Sequence, residues 1–149
     1  MNLSLRSLAL TLALLAAPAA VIAQSRDHQA VDQLMQTVMR GFTTGNGEMV
    51  LGVLRRDAVV VGFSPSSNKL VAVSAEEWAK GFTGAPPVDE SQRRRGYQIL
   101  DVTDTGAVVK VTLDYPTWDG VDYLALSKIN GEWKIISKSW SGTRKPAAR

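Results

Sequence analysis

Hydrophobic residues in the first part of the chain recur every three or four positions, which is typical of one side of an amphipathic helix. The pattern covers residues 27–43 and predicts a helix whose apolar side consists of Ala30, Val31, Leu34, Met35, Val38, Met39 and Phe42. Residues 44–47, Thr-Gly-Asn-Gly, predict the end of this helix and the N-cap of a second one. The second helix is expected over residues 48–55.

The pattern then changes to short runs rich in β-branched and aromatic residues, which predict strands. A hairpin is expected from residues 57–63 and 69–73, and a capping box at residues 74–77 begins a short third helix through Trp78 and Phe82. Four further strands are predicted at 97–103, 107–115, 121–129 and 133–140.

Asn130-Gly131, between the last two runs, predicts a tight type I′ turn because both central residues of that turn need positive φ. Helices followed by a hairpin and an antiparallel meander imply an α+β domain. Its N-terminal helices are expected to pack on a curved, mostly antiparallel sheet.

The first 23 residues have the pattern of a secretory signal peptide. Arg6 precedes an apolar run at residues 8–17, Pro18 is expected to break the helix, and cleavage is expected after Ala23. The run is about ten residues long, whereas a membrane-spanning helix needs roughly 20, which disfavours a retained anchor. We therefore expect the protein to be periplasmic or secreted.

After removal of the signal peptide, one domain is expected at residues 24–143, followed by a disordered basic tail at 144–149. Composition narrows the functional classes open to this domain. The chain has 17 basic and 14 acidic residues, and loss of Arg6 would leave it nearly balanced. This balance argues against a nucleic-acid partner. The chain has no cysteine, so lipoprotein anchoring, disulfides and thiol catalysis are excluded.

The last strands resemble a known family. Asp-Tyr-Leu-Ala-Leu at residues 122–126 and Lys-Ile-Asn-Gly-Glu-Trp-Lys-Ile-Ile at 128–136, followed by Lys138, are similar to the terminal hairpin of the nuclear transport factor 2-like superfamily. Within it the chain resembles the putative lumazine-binding, polyketide-cyclase-like branch. The resemblance implies a cone-shaped α+β domain with a pocket between sheet and helices, and often a homodimer packed through the outer face of the sheet. The superfamily contains dehydratases, isomerases, hydrolases and cyclases beside members that only bind or scaffold, so the fold alone does not define the chemistry.

Two acidic residues are candidate catalytic groups. Asp122 shares a strand face with Leu124 and Leu126, where burial would raise its pKa, as a general acid or base requires. The alternative is an exposed or ion-paired carboxylate, for example with Arg94. Asp57, which follows two arginines, is either a pocket acid or a surface ion pair.

Aromatic residues are the best indication of a ligand pocket. The residues expected to bind a ligand are Trp78, Trp118, Phe63, Tyr115 and Asp122. Trp118 and Trp78 are placed at the open end of the cone, Trp118 in a loop, whereas Trp133 and Tyr97 are expected in the core. An apolar or aromatic small molecule is the expected partner.

The sequence predicts no metal and no cofactor. His28 is the one histidine of the chain, is expected to be solvated near the start of the first helix, and could not hold zinc by itself. The arginines at residues 93–95 would either bind an anion or form a solvated strand edge.

The sequence leaves two functions open. The first is a non-catalytic binding or scaffold domain outside the cytoplasm. The second is a small lyase or isomerase in which Asp122 or Asp57 acts with Tyr97 or Tyr115 as a hydrogen-bond donor to a developing oxyanion.

Overall fold

A computed structural model describes the backbone of residues 6–146 and the side chains of residues 22–146. Its helices are α1 (Arg6–Thr44), α2 (Gly47–Leu51) and α3 (Ala75–Ala79), with a single 3₁₀ turn at Glu90–Gln92. Its strands are β1 (Leu54–Ser64), β2 (Lys69–Ser74), β3 (Arg94–Val102), β4 (Gly106–Tyr115), β5 (Trp118–Ile129) and β6 (Glu132–Arg144).

The six strands form one sheet in the order β2-β1-β6-β5-β4-β3. Every neighbouring pair is antiparallel except β1 and β6, which are parallel. The sheet curves around the helices, so the predicted α+β class with a curved, mostly antiparallel sheet is confirmed.

The core lies between α1 and the concave face of the sheet. The predicted apolar side of α1 faces inward, with Val31, Leu34, Met35 and Val38 buried. The sheet contributes ten buried residues to the same cluster: Leu54, Ala58, Val102, Ala107, Val109, Val111, Leu124, Leu126, Trp133 and Ile135. This interface leaves the C-terminal end of α1 and the short α3 to cover the rest of the concave face.

Asp27 connects α1 to the β5–β6 hairpin through hydrogen bonds. Its Oδ1 accepts hydrogen bonds from Nζ of Lys128 at 2.7 Å and from the indole Nε1 of Trp133 at 3.2 Å. The bond from Lys128 holds the pKa of the Asp27 carboxyl below its usual value of 3.8. A carboxylate can be buried here because both donors compensate its lost hydration.

The local turn and capping predictions are confirmed. Asn130 and Gly131 have φ values of 52° and 85°, and Ile129 pairs with Glu132. Asn46 caps α2 by accepting a hydrogen bond from the backbone N–H of Met49, and the Ser74 hydroxyl caps α3 by accepting one from Glu77.

Two element boundaries differ from the predictions. The second helix ends at Leu51 rather than at residue 55, because Leu54 pairs with Ile135 of β6 and the segment joins the sheet. Trp118 begins β5 instead of lying in a loop, because only Pro116 and Thr117 separate the paired residues Tyr115 and Trp118.

The structure also bears on the predictions for the two ends of the chain. The predicted break at Pro18 is wrong, since α1 runs through that position. At the other end β6 includes Arg144, and Lys145 forms ion pairs with Asp114 and Asp119. Residues 1–5 of the predicted signal and 147–149 of the predicted tail lie outside the described residues.

Within the part of the chain that the structure describes, none of the helices combines the length and apolar character needed to cross a membrane.

Candidate functional site

A cavity of about 610 Å³ opens between the concave face of the sheet and the helices. Phe42 near the end of α1, Trp78 of α3 and Phe82 line one wall. The loop at residues 83–89 closes the adjoining side, and side chains of β4, β5 and β6 form the floor. The volume lies in the range of about 300–1,000 Å³ typical of small-molecule sites.

Three aromatic rings form the helical wall of the cavity. The ring centroids of Phe42 and Trp78 lie 6.1 Å apart, those of Phe42 and Phe82 5.8 Å apart, and those of Trp78 and Phe82 5.3 Å apart. Two of these contacts are edge-to-face, an arrangement that aromatic pairs prefer. The mutual packing fixes an apolar surface that can contact a flat ligand.

A buried ion pair lies on the floor of the cavity. Nζ of Lys138 on β6 lies 2.8 Å from Oδ1 of Asp122 on β5, and the two side chains are 8% and 4% exposed. Burial raises the pKa of the Asp122 carboxyl, while the ammonium group of Lys138 opposes that rise. Lys138 Nζ also lies 5.2 Å from the centroid of the Trp78 ring, a cation–π distance. The cavity therefore combines aromatic walls with one buried donor and one buried acceptor.

The edge of the cavity carries a second charged pair. The Arg93 guanidinium lies 4.4 Å from the centroid of the Tyr115 ring, and its Nε lies 2.8 Å from a carboxylate oxygen of Asp89. Asp89 and Asp122 each have a basic partner, so these two pairs add no net charge to the cavity.

The three consecutive arginines at residues 93–95 make different contacts. Arg95 is held by both carboxylate oxygens of Glu90 at 2.5 and 2.8 Å, and its Nε donates to the Tyr115 hydroxyl at 3.1 Å. The bond from Arg95 lowers the pKa of Glu90. Arg94 is exposed on β3. Arg93 and Arg95 are thus paired with acids of the chain, and only Arg93 of the three lines the cavity.

Three of the residues expected to bind a ligand, Trp78, Tyr115 and Asp122, line this cavity. Asp122 is buried, as the inward-facing interpretation predicted. It also forms an ion pair, as the alternative interpretation predicted, but the partner is Lys138 rather than Arg94. The Tyr115 hydroxyl accepts its hydrogen bond from Arg95.

Phe63 does not line the cavity, so its predicted position is wrong. It is half-exposed and lies on the outer face of β1, where it pairs with Leu70. The neighbouring Gly62 lies in register with Trp140 on the opposite, concave face. Alternation along a strand therefore directs Phe63 away from the cavity.

Trp118 faces the concave side but lines a different cleft. Its ring centroid lies 6.2 Å from that of Trp140, and both rings line a space of about 350 Å³ next to the turn between β1 and β2. The expected location of Trp118 in the main pocket is wrong, because its place at the start of β5 puts it beyond Trp140.

Tyr97 packs between α1 and β3, against the core, as expected. Its hydroxyl donates to Oδ1 of Asp32 on α1 at 2.7 Å. Burial and this carboxylate raise the pKa of Tyr97 to about 12. The tyrosine proton is thus directed towards the helix rather than towards Asp122.

Asp57 lies on an exposed part of β1 and forms two hydrogen bonds with Arg55, at 2.6 and 2.7 Å. This contact lowers the pKa of Asp57, and the residue belongs to a surface ion pair rather than to the cavity. His28 is exposed on α1. Among residues 22–146 no group of three or more potential ligands is placed to hold a metal ion.

Lys138 belongs to the site, although the sequence pattern did not indicate a functional role for it. Trp133 and Ile135 face inward at odd positions of β6, and strict alternation would direct residue 138 outward. The register shifts at this point, with Leu126 opposite Ile135 but Ala125 opposite Ser137, so Ile136 is an extra residue. This β-bulge turns Lys138 and Trp140 inward.

Solved structures share this architecture. A protein of unknown function from Shewanella baltica, described as NTF2-like, has a TM-score of 0.71 at 16% identity, covering 81% of this chain and 97% of the other. An NTF-2-like protein of unknown function from Silicibacter pomeroyi has a TM-score of 0.66 at 20% identity, covering 80% and 98%. The association domain of C. elegans CaMKII has a TM-score of 0.55 at 14% identity, covering 79% and 97%. The fold is therefore that of the nuclear transport factor 2-like superfamily.

The sequence defines the family more narrowly. The model of the family described as "Putative lumazine-binding" matches residues 26–141, which include both members of the buried ion pair. The chain belongs to this family, as its terminal hairpin suggested. No curated protein sequence gives a significant match to the chain.

Proposed function

We propose that this protein binds a small apolar or aromatic molecule in the cavity formed by the sheet and helices, and that it does so without catalysing a reaction. The observation that carries this proposal is the buried Asp122–Lys138 pair on the floor of a cavity of about 610 Å³ with aromatic walls. Ligand sites generally combine such apolar walls with a few placed polar groups.

The chemistry of the floor favours a particular kind of ligand. A ring stacked on Trp78 or Phe82 would place its edge above the ion pair, where Lys138 donates a hydrogen bond and Asp122 accepts one. A neutral, planar ring with a carbonyl beside an N–H group matches both. The description of the family suggests lumazine itself as a first probe of this type.

The hydrogen bonds of the candidate catalytic groups support a binding role. Asp122 is held by Lys138, the Tyr115 hydroxyl accepts from Arg95, and the Tyr97 hydroxyl donates to Asp32. A general acid or base needs its partner within hydrogen-bond reach of the reacting atoms. These side chains are instead engaged with other parts of the domain.

The experiment is a thermal-shift screen of residues 24–149 against planar heterocycles that include lumazine. A ligand of the cavity raises the unfolding temperature of the unmodified protein and of Trp118→Ala, but not of Trp78→Ala. Absence of stabilisation by every compound, or equal stabilisation of Trp78→Ala, contradicts the proposal.

A small lyase or isomerase is the second candidate, favoured by the raised pKa of Asp122 beside the cavity. Turnover of any compound that stabilises the protein, lost in Asp122→Asn while binding persists, would establish it. Binding without turnover in the unmodified protein would exclude it for that compound.

We also propose that the protein is exported and that residues 1–23 are removed as a signal peptide. The support is the polar start, short apolar run and small residue at Ala23. N-terminal sequencing of the protein recovered outside the cytoplasm is expected to begin at Gln24. A recovered chain that still begins at Met1 contradicts removal.

The outer face of the sheet supports a further proposal, a homodimer. Val59, Phe63, Val108 and Tyr123 are each about half-exposed on this face, and the small residues Ser137 and Ser139 lie between them. Apolar side chains around a flat centre of small ones suit the self-complementary packing of a twofold interface. A similar fold occurs in a domain described as an association domain.

A further inference from the structure

A second cleft lies on the concave face of the sheet, beyond Trp140 when viewed from the cavity. It has a volume of about 350 Å³ and is lined by Trp118, Trp140, Gly142, Thr143, Arg144 and residues 64–66 at the turn between β1 and β2. The main cavity is lined by a different set of residues. A ligand of this cleft would therefore be independent of the proposed function.

Glycines allow both tryptophan rings to lie flat on the sheet. A Cβ atom at Gly120 or Gly142 would overlap the indole of Trp118, and one at Gly62 would overlap the indole of Trp140. Each ring thus covers backbone with one face and presents the other to the cleft. The two ring planes are inclined at 59°, with centroids 6.2 Å apart, and together form a shallow aromatic trough.

The edge of the trough is polar and carries a positive charge. Ser64 and Ser66 lie on one side, with their hydroxyl oxygens 3.2 Å apart, and Arg144 lies on the other. Arg144 is exposed, pairs in register with Trp118 and has no ion pair with a carboxylate of residues 22–146. The lining of the cleft contains no acidic side chain.

We propose that this cleft binds a sugar acid, a saccharide ring that bears a carboxylate. The C–H face of such a ring would stack on Trp118 and Trp140, and its hydroxyl groups would exchange hydrogen bonds with Ser64 and Ser66. The carboxylate would pair with the Arg144 guanidinium, which suits the planar geometry of a carboxylate.

The lining argues against two other ligand classes. An organic cation would meet the charge of Arg144 with no acid in the cleft to balance it. A purely aromatic acid would make no use of the two serine hydroxyl groups at the edge. A ligand with hydroxyl groups around an apolar ring face uses all of the features.

Digalacturonate is a suitable probe, with the neutral disaccharide cellobiose and with benzoate as comparison compounds. The chain contains four tryptophans, of which Trp118 and Trp140 line the cleft, Trp78 lines the cavity and Trp133 lies in the core. In spectra of ¹⁵N-labelled protein, digalacturonate is expected to shift the indole N–H signals of Trp118 and Trp140 and to leave the other two in place.

Arg144→Gln is the informative variant because its exposed side chain lies outside the core. It is expected to weaken digalacturonate binding at least tenfold and to leave cellobiose binding, which is weak in both proteins, unchanged. Trp118→Ala is expected to abolish binding of both sugars. The proposal is overturned by an absence of shifts at millimolar digalacturonate, by equal binding of benzoate, or by unchanged affinity in Arg144→Gln.

Discussion

Nζ of Lys138 lies 2.8 Å from Oδ1 of Asp122, across two neighbouring strands, and both side chains are almost fully buried. Removing two charges from water costs more than their attraction alone returns, so a buried pair adds little net stability. The pair lies on the floor of the cavity, beneath Trp78, where the proposed ligand binding would not depend on such a gain.

Removing one member of this pair is expected to destabilise the domain strongly. Lys138→Met leaves Asp122 buried without its cation, and such losses cost about 3–5 kcal/mol. Urea denaturation measures the change. The combined Asp122→Leu and Lys138→Met variant is expected to recover most of the loss, because no uncompensated charge remains.

Lys80→Met is the matched control for that experiment. Lys80 forms an ion pair with Glu77 at 2.6 Å, but both side chains are more than half exposed. Exposed pairs contribute about 0–1 kcal/mol. A loss in Lys138→Met no larger than that in Lys80→Met would show that the buried pair lacks the expected energetic importance.

The stability of the protein should depend on pH through Asp122. Burial raises the pKa of this carboxyl in the folded protein above its ordinary value of 3.8. The folded state therefore keeps its proton to a higher pH than the unfolded chain does. The resulting stabilisation is present below pH 3.8 and is lost as the pH rises through the folded-state pKa.

Asp122→Asn removes this dependence. The difference in unfolding free energy between the unmodified protein and Asp122→Asn should fall as the pH rises through that window, as urea titrations at successive pH values would measure. Asp57→Asn should behave oppositely, because Arg55 lowers the pKa of Asp57 and its contribution is lost as the pH falls. A difference for Asp122→Asn that grows with pH would refute the raised pKa.

The attachment of α1 to the sheet depends on Asp27. Asp27→Ala removes the acceptor of the Trp133 indole N–H, and a buried donor left without a partner costs about 1–3 kcal/mol. Asp27→Asn keeps an acceptor oxygen and should lose less. Thermal or urea unfolding would distinguish the two variants. Equal stability of all three proteins would mean that α1 is held by its apolar side alone.

The proposed dimer is tested at Tyr123, half-exposed on the outer face of β5. Tyr123→Glu places a charge within the proposed interface and is expected to convert a dimer into a monomer, as measured by light scattering. Gln33→Glu adds the same charge on the exposed side of α1 and should leave the mass unchanged. A monomeric unmodified protein at micromolar concentration would exclude the dimer.

Local rules predicted most of the fold. The type I′ turn at Asn130-Gly131 and the cap at Ser74 depend on residues close in sequence, and both occur as predicted. For Asp122, the spacing to Leu124 and Leu126 on one strand face indicated the inward position as one of two alternatives. These features need no knowledge of the pairing between distant strands.

The features that the sequence did not predict depend on the pairing register between strands that are distant in sequence. Lys138 faces inward because of the bulge at Ile136, which simple alternation along β6 cannot indicate. Phe63 follows an unbroken apolar run at residues 58–61, so its face depended on the pairing of Gly62 with Trp140.

The indole N–H signals of the four tryptophans provide the most direct test of the central claim, that the cavity above Asp122 and Lys138 binds a planar molecule. Titration of ¹⁵N-labelled protein with a stabilising heterocycle is predicted to shift the Trp78 signal and the Lys138 side-chain signal while the Trp118 signal stays in place. A saturating ligand that leaves the Trp78 and Lys138 signals unchanged would contradict the claim.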